Sequence, residues 1–322
     1  MIKLIDLRGE ERTFESLAEA CSTIEAEGQM PGEIVALFLP DPSDGPRPIE
    51  PVMWPSEVDP SSSCRREIIL KRLVGDGLAF DLRRVWERFT GIGLEAGLAA
   101  AGMETYSYQL QVPDGLVEAD LVQNRDVLVR LPSSGPDGKP RWAVHSPVLG
   151  CNLRGRVDRI SADGREVIDW KVTGYPGPRK DWGLNSSWVL QLQVYAHMLR
   201  LLLGLSAEEQ SLQVWRIYRD PYIWKEQECG WRKRKVADMD AAFKRFEVPV
   251  WDDDKLEGEI GEHCRSTMEA LEKLVEKPED IAEVLADIPL DGEVRRMYGG
   301  KKCSTYCDVR DACWTFSGRP IF

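Results

Sequence analysis

Two aspartates and a lysine, Asp158, Asp169 and Lys171, stand in the segment RGRVDRISADGREVIDWKVTG, which reads as two alternating strands joined across Asp163-Gly164. That dipeptide suits a tight two-residue hairpin turn, because both positions tolerate positive φ. With those residues as the loop, the register sets Asp158 directly opposite Asp169, and the two-residue period of a strand adds Lys171 to the same side. Opposed carboxylates repel unless something positive lies between them. A divalent cation meets that need: Mg²⁺ takes oxygen ligands, binds one or two carboxylates and leaves room for water and a substrate phosphate. Lys171 would then stand beside the metal, where an ammonium can orient or activate water and offset charge developing on phosphate. The plain alternative is a solvated sheet face on which Lys171 is a surface ion-pair partner.

A second concentration of chemistry lies in the tail KKCSTYCDVRDACW, which places Cys303, Cys307 and Cys313 close together in a chain of 322 residues with eight cysteines. The amino terminus, MIKLIDLRGEERTF, lacks the uninterrupted apolar run of an export signal or membrane span, so a cytoplasmic location with reduced thiols is the expectation. Their spacing is therefore searched for metal ligands rather than disulfides. Three thiolates leave a tetrahedral metal or cluster site one short, and the fourth ligand must come from elsewhere. Cys21, Cys151, Cys229 and Cys264 are scattered and read as buried small hydrophobes.

The elements that must position these groups follow from periodicity. Residues 1–60 read as a small α/β appendage, with strands at Ile2 to Leu7 and Glu33 to Leu39 around a helix near Thr13 to Glu27. A proline-rich stretch from Pro40 to Ser63 reads as a linker or an extended covering segment. Residues 61–322 read as the main domain. Helices are expected at Arg65 to Leu73 and Leu78 to Gly102, then a largely antiparallel sheet from Tyr106 to Val112, Asp126 to Leu131, Arg141 to Leu149, Leu153 to Ser161 and Glu166 to Val172. A helix from Ser187 to Leu203, ending at Gly204, precedes strands at Ser211 to Tyr218 and Tyr222 to Glu228, and residues 234–286 read as helical.

Gly155 to Ile160 (G-x-x-D-R-I), Val167 to Lys171 (V-I-D-W-K) and Gln191 to Tyr195 (Q-x-x-x-Y) resemble the successive motifs of RecB-like PD-(D/E)XK nucleases, over roughly residues 60 to 316. The resemblance implies a restriction-endonuclease-like α/β core, a mixed central sheet flanked by helices. It implies that Asp158 and Asp169 bind Mg²⁺ or Mn²⁺, with Lys171 as the base or water-positioning group. Gln191 and Tyr195, one helical turn apart, share a face toward the site or the DNA strand. A helix before the sheet normally supplies a histidine after a glycine in this family; here Glu95 occupies that position, and a carboxylate is a plausible ligand for a hard cation. His145, on the strand before the motif hairpin, reads as structural. Cys64, in PSSSCRRE, resembles the segment that contributes one cysteine in AddB-type and CRISPR-associated RecB-like nucleases. That implies a 4Fe-4S cluster on Cys64, Cys303, Cys307 and Cys313, joining the N- and C-terminal parts, with zinc as the alternative. The first tail spacing, C-x3-C, departs from the usual C-x2-C, whereas C-x5-C agrees.

A net charge of -12 excludes a protein coated in basic surface, so DNA contact must be local. Basic residues gather at Arg232 to Lys235 and at Arg295, Arg296, Lys301 and Lys302, with Trp215, Tyr218, Tyr222 and Trp224 near the first group, a mixture suited to a single strand. No phosphate-binding GxxxxGK[ST] loop occurs, so processive degradation would need a helicase or recombination protein in trans. The expectation is a metal-dependent deoxyribonuclease, an exonuclease on single strands or ends. The alternative is a catalytically weak, cluster-bearing DNA-binding or interaction subunit.

Overall fold

The computed structural model describes residues 2–30, 32, 35, 49–74, 80–82, 111–112, 123–134, 140–173, 184–218, 222–226, 233–237, 243–288, 307 and 309–316. The strands are β1 (Ile2–Ile5), β2 (Glu11–Phe14), β3 (Phe80–Asp81), β4 (Gln111–Val112), β5 (Leu128–Ser134), β6 (Pro140–Ser146), β7 (Cys151–Leu153), β8 (Gly155–Arg156), β9 (Arg159–Ile160), β10 (Glu166–Thr173), β11 (Ser211–Tyr218), β12 (Tyr222–Glu226), β13 (Lys233–Ala237) and β14 (Phe243–Val248). The helices are α1 (Leu17–Ala26), α2 (Arg65–Val74), α3 (Ser186–Leu203), α4 (Asp253–Leu256), α5 (Glu262–Glu276), α6 (Ile281–Ala286) and α7 (Arg310–Phe316). The chain forms two compact units, each discontinuous in sequence: 1–50 with 64–98 and 270–322, and 51–63 with 99–269.

The second unit is built on a sheet ordered β14-β11-β10-β9. Its two central strands run parallel, Glu166 pairing with Ser211 and Thr173 with Tyr218, while β9 and β14 lie antiparallel at the edges. The sheet is thus mixed, as the resemblance implies, because parallel neighbours need a crossover and α3 supplies it, while the described pairings among the strands between residues 106 and 173 are antiparallel. Asn185 caps α3 by accepting the Ser187 N–H at 3.0 Å, and Gly204, at φ 67°, ends it in the left-handed region that only glycine enters freely. Leu192, Val194, Met198 and Leu199 of α3, and Val167, Ile168 and Val214 of the sheet, are buried. Each such side chain stabilises the fold by about 2 kcal/mol relative to exposure.

Beside this sheet, β5-β6-β7 form a second one. The segment after Glu50 runs along it: Met53 bridges Leu153 in parallel, its N–H donating to Asn152 O at 2.8 Å while Arg154 N–H donates to Met53 O at 3.0 Å. This part of the proline-rich stretch is an extended covering segment.

In the first unit, β2-β1-β3 form a small sheet over a core of Leu4, Phe14, Ala20, Ile24 and Leu82. Helix α2 packs with α7, and Ile69, Leu70, Leu271, Leu274 and Leu285 make the second core. The sequence reading needs correction at several elements. Phe80 and Asp81 pair with Leu4 and Ile5 as strand, not helix. The first helix begins at Leu17, after a strand, and Val35 is helical where a strand is expected. The expected strand Leu153 to Ser161 is broken into three. Residues 233–237 and 243–248 form strands inside the stretch read as helical, because pairing with β12 and β11 outweighs the helix propensity of Lys, Ala and Glu.

Helix α3 is also tied to the start of α4. His197, fully buried, has Nδ1 3.0 Å from Asp253 Oδ1 and Nε2 2.8 Å from Ser146 Oγ, and Arg200 donates to the same carboxylate oxygen at 2.9 Å. Because the carboxylate only accepts, Nδ1 carries the proton. Ser146 has no exposed surface and accepts the Leu149 N–H at 3.1 Å, so this Ser-His-Asp sequence braces the helix and presents no nucleophile to solvent. The hydrogen bond from His197, followed by that from Arg200, holds the Asp253 carboxyl well below the usual carboxylate range against the opposing effect of burial. A depressed carboxyl stabilises the fold above its unfolded value near 3.9, and that contribution is lost as pH falls through the lower folded value. The Asp253 side chain is 46% exposed, which screens the contribution to about 1 kcal/mol. Asp253→Ala is expected to lower the melting temperature by about 3 °C at pH 7 and by progressively less below pH 4, as read by thermal unfolding at both values.

Candidate active site

Val167 pairs with Ile160 and Ile168 with Arg159, so one step further along the backbone Asp169 stands across from Asp158. The register is the one the sequence requires, but the turn is not. Ser161 N–H donates to Glu166 O at 2.9 Å and Gly164 N–H to Ser161 O at 2.9 Å, so the loop spans Ala162 to Arg165. Gly164 has φ 73°, and among the described residues no non-glycine has positive φ. Asp163 instead uses its side chain, accepting the Arg165 N–H at 3.2 Å. Adding one loop residue on each side leaves the register unchanged, which is why the two aspartates still oppose each other.

The carboxylates are held by different means. Asp158 Oδ2 accepts the Trp170 N–H at 2.8 Å. Asp169 is 1% exposed, and its Oδ2, fully buried, pairs with Lys171 Nζ at 2.6 Å. Burial pushes the Asp169 carboxyl up to about 7; Lys171 draws it back down, and neighbouring Asp158 adds to the rise. Lys171 Nζ donates to Gln191 Oε1 at 2.9 Å, and Gln191 Nε2 donates to Tyr195 Oη at 3.2 Å. Five of the sequence candidates therefore form one connected set: Asp158, Asp169, Lys171, Gln191 and Tyr195.

These residues suit a hard divalent cation. A buried carboxylate next to a second carboxylate offers acceptor-only oxygens that Mg²⁺ or Mn²⁺ prefers. Among the described residues no group of three or more His, Cys, Asp or Glu gathers around a possible metal position. Glu95, the expected third acid, lies outside the described residues. His145 hydrogen-bonds through Nδ1 to Asn152 Oδ1 at 3.0 Å, a structural contact.

Gly155 opens the G-x-x-D motif for a steric reason. A Cβ there would lie 2.8 Å from Tyr195 Cε1 and 2.7 Å from Pro55 Cδ, so only glycine lets the strand approach the tyrosine ring. Gly155→Ala is expected to cost about 1–3 kcal/mol through overpacking, read as a lower melting temperature, and to slow cleavage several-fold by displacing Tyr195.

Helix α3 contributes a residue that the motif reading missed. Trp188 precedes Gln191 by three positions, so Trp188, Gln191 and Tyr195 form one stripe toward the sheet. Arg216 lies over the Trp188 ring, its guanidinium carbon 5.7 Å from the centroid. The period of three and four residues was available in the sequence, but the arginine partner required the parallel register. Trp215, expected near bound DNA, faces the other way. It is 5% exposed, sandwiched by Arg159 at 5.2 Å and Arg245 at 4.5 Å.

Of the cysteine candidates, Cys64, Cys307 and Cys313 belong to the first unit and are in no disulfide. Backbone N–H groups of Arg66 and Glu67 bond the Cys64 thiol, which burial pushes up and which lies within electrostatic reach of Cys313. Cys307 and Cys313 pack against the core that includes Ile69 and Leu70. Cys303 and the basic residues Arg295, Arg296, Lys301 and Lys302 lie outside the described residues. Residues 233–235 fall on β13.

The model of the PD-(D/E)XK nuclease superfamily matches residues 54–314. No curated protein matches the chain. Among solved structures, the crystal structure of SSO0001 is similar at 16% identity and a TM-score of 0.33, over 82% of this chain and 86% of that one. With the family model spanning the opposed aspartates, the lysine and the helix behind them, the chain belongs to the PD-(D/E)XK nuclease superfamily.

Proposed function

We propose that this protein is a deoxyribonuclease that hydrolyses phosphodiester bonds, acting as an exonuclease on single-stranded DNA or DNA ends. The observation that carries the reading is the buried Asp169 carboxylate, opposite Asp158 and paired with Lys171 at 2.6 Å. Asp158 and Asp169 would hold Mg²⁺ or Mn²⁺, with Glu95 as a further ligand, and the bound ion supplies Lewis-acid polarisation of the phosphate and a lowered water pKa. Lys171 orients the attacking water and offsets negative charge as the phosphorus gains one oxygen and one bridging P–O bond breaks. Gln191 fixes the ammonium through its 2.9 Å hydrogen bond, and Tyr195 fixes Gln191 in turn. Processive degradation draws on a helicase or recombination protein in trans, and the setting is recombination, repair or mobile-element DNA processing.

A 4Fe-4S cluster on Cys64, Cys303, Cys307 and Cys313 completes the proposal. Its support is the packing of α7, which carries Cys313, on α2, which begins beside Cys64. The cluster belongs to stability rather than to hydrolysis. Iron with broad visible absorbance in the purified protein is the expected result, and a colourless preparation containing zinc overturns it.

The function is tested by digesting end-labelled single- and double-stranded DNA with Mg²⁺, Mn²⁺ or EDTA. Mononucleotide release that needs the metal is expected. Binding without metal-dependent cleavage would instead identify a DNA-binding subunit, and internal cutting of circular DNA would remove the exonuclease assignment.

A further inference from the structure

The register that sets Asp169 and Lys171 on one face of the sheet also decides what lies beside them. Lys171 pairs with Arg216 on β11, and Arg216 pairs with Lys244 on β14. Paired residues on neighbouring strands project to the same side, so Lys171, Arg216 and Lys244 form a row of three cations across the sheet, spaced at about the 4.8 Å interstrand distance. The contacts agree with this assignment: Arg216 reaches Thr173 Oγ1 at 3.5 Å on the lysine side, whereas Arg245 stacks on Trp215 on the other. Arg216 and Lys244 are half-buried rather than sealed in the core, as is Trp188, whose ring flanks Arg216. In a chain of net charge -12, this row of basic side chains begins at the candidate reaction centre.

We infer that Arg216 and Lys244 bind successive backbone phosphates of a nucleic-acid strand leading away from Lys171 across β11 and β14, with Trp188 as the platform for a base. This rests on the nuclease reading given above and adds to it the path of the strand. Phosphate contacts from cations are independent of sequence, and ring stacking accepts any base, so the track suits a substrate read end by end. The expected recognition unit is a single strand several nucleotides long.

The track is tested by equilibrium binding of a fluorescent oligothymidylate to the full chain in EDTA, where nothing is cut, over a series of salt concentrations. Arg216→Gln and Lys244→Gln are each expected to weaken binding roughly tenfold and to reduce the slope of log K against log salt by about 0.7. Trp188→Ala is expected to weaken binding by a similar factor while leaving that slope unchanged. Arg245→Gln, on the opposite face, is the control and should bind as the parent does. Arg216→Lys keeps the charge and should retain the parental slope, which separates loss of a phosphate contact from damage to the fold.

Parental affinity and slope in both Arg216→Gln and Lys244→Gln would overturn the track. So would a loss in Arg245→Gln equal to theirs. Because binding is read without metal, a protein that binds through this row yet never cleaves refutes the nuclease reading and leaves the track standing. A protein that cleaves with unchanged binding in the variants does the reverse.

Discussion

Asp169→Asn is expected to remove cleavage by roughly a thousandfold or more, about 4 kcal/mol of barrier, while the metal-free protein becomes more stable above pH 7. The two effects share one cause. Asp169 is 1% exposed, and Lys171 only partly offsets the cost of burying its charge, so that charge is unfavourable until a metal ion arrives. Burial raises the carboxyl to about 7, above the unfolded value near 3.9. Between those values the native state holds a proton that the unfolded state has released, so stability declines as pH rises from about 4 to about 7 and then levels off. The amide has no charge to bury and lacks that decline. Urea unfolding in EDTA at pH 5 and pH 8 reads it: the parent loses stability between the two, on the order of a few kcal/mol, and the variant does not. A variant that is less stable than the parent at pH 8 without metal would remove the argument that this carboxylate waits for a cation.

Lys171→Met carries the second large effect. The ammonium 2.6 Å from Asp169 is the main influence that lowers the carboxyl, so its loss leaves a buried acid next to Asp158 without that counterweight. Breaking one side of a buried pair costs about 3–5 kcal/mol. The cost appears at neutral and higher pH, where the unfolded carboxyl is ionised, and fades in acid. Added Mn²⁺ should restore the melting temperature, because the cation replaces the lost charge between the carboxylates. It should not restore cleavage, which stays down by about a hundredfold or more for want of the group that orients water. Melting curves with and without Mn²⁺, set beside rates on labelled DNA, separate the two roles. Equal recovery of both would show that Lys171 serves only the electrostatics of the fold.

The candidate site was legible in the sequence because hairpin geometry is local. A turn centred on Asp163 and Gly164 fixes who faces whom, and widening the loop symmetrically to Ala162–Arg165 changed the turn while sparing the register. The helix was equally readable from its Asn185 cap, its apolar run and Gly204. What local signals could not supply was the partner of each strand. FKRFEV at 243–248 lies in a stretch rich in helix formers, and it is a strand because β11 offers an edge. Trp215 and Arg216 are neighbours in the chain, one shielded between Arg159 and Arg245 and the other beside Lys171. Nothing in the segment LQVWRIY distinguishes those sides until β11 is aligned with β10. Asp253 escaped notice for the same reason, since its tie to His197 joins elements far apart in the chain.

The parallel alignment of β10 with β11 also bears on the order of biosynthesis. Such strands meet only after the whole connecting segment, α3 included, has left the ribosome and folded back. Before then the hairpin can bring the two acids together, yet the strand that flanks Asp169 on its other side is missing. Docking of the eleventh strand is what sets Val214 beside Asp169 and Arg216 beside Lys171.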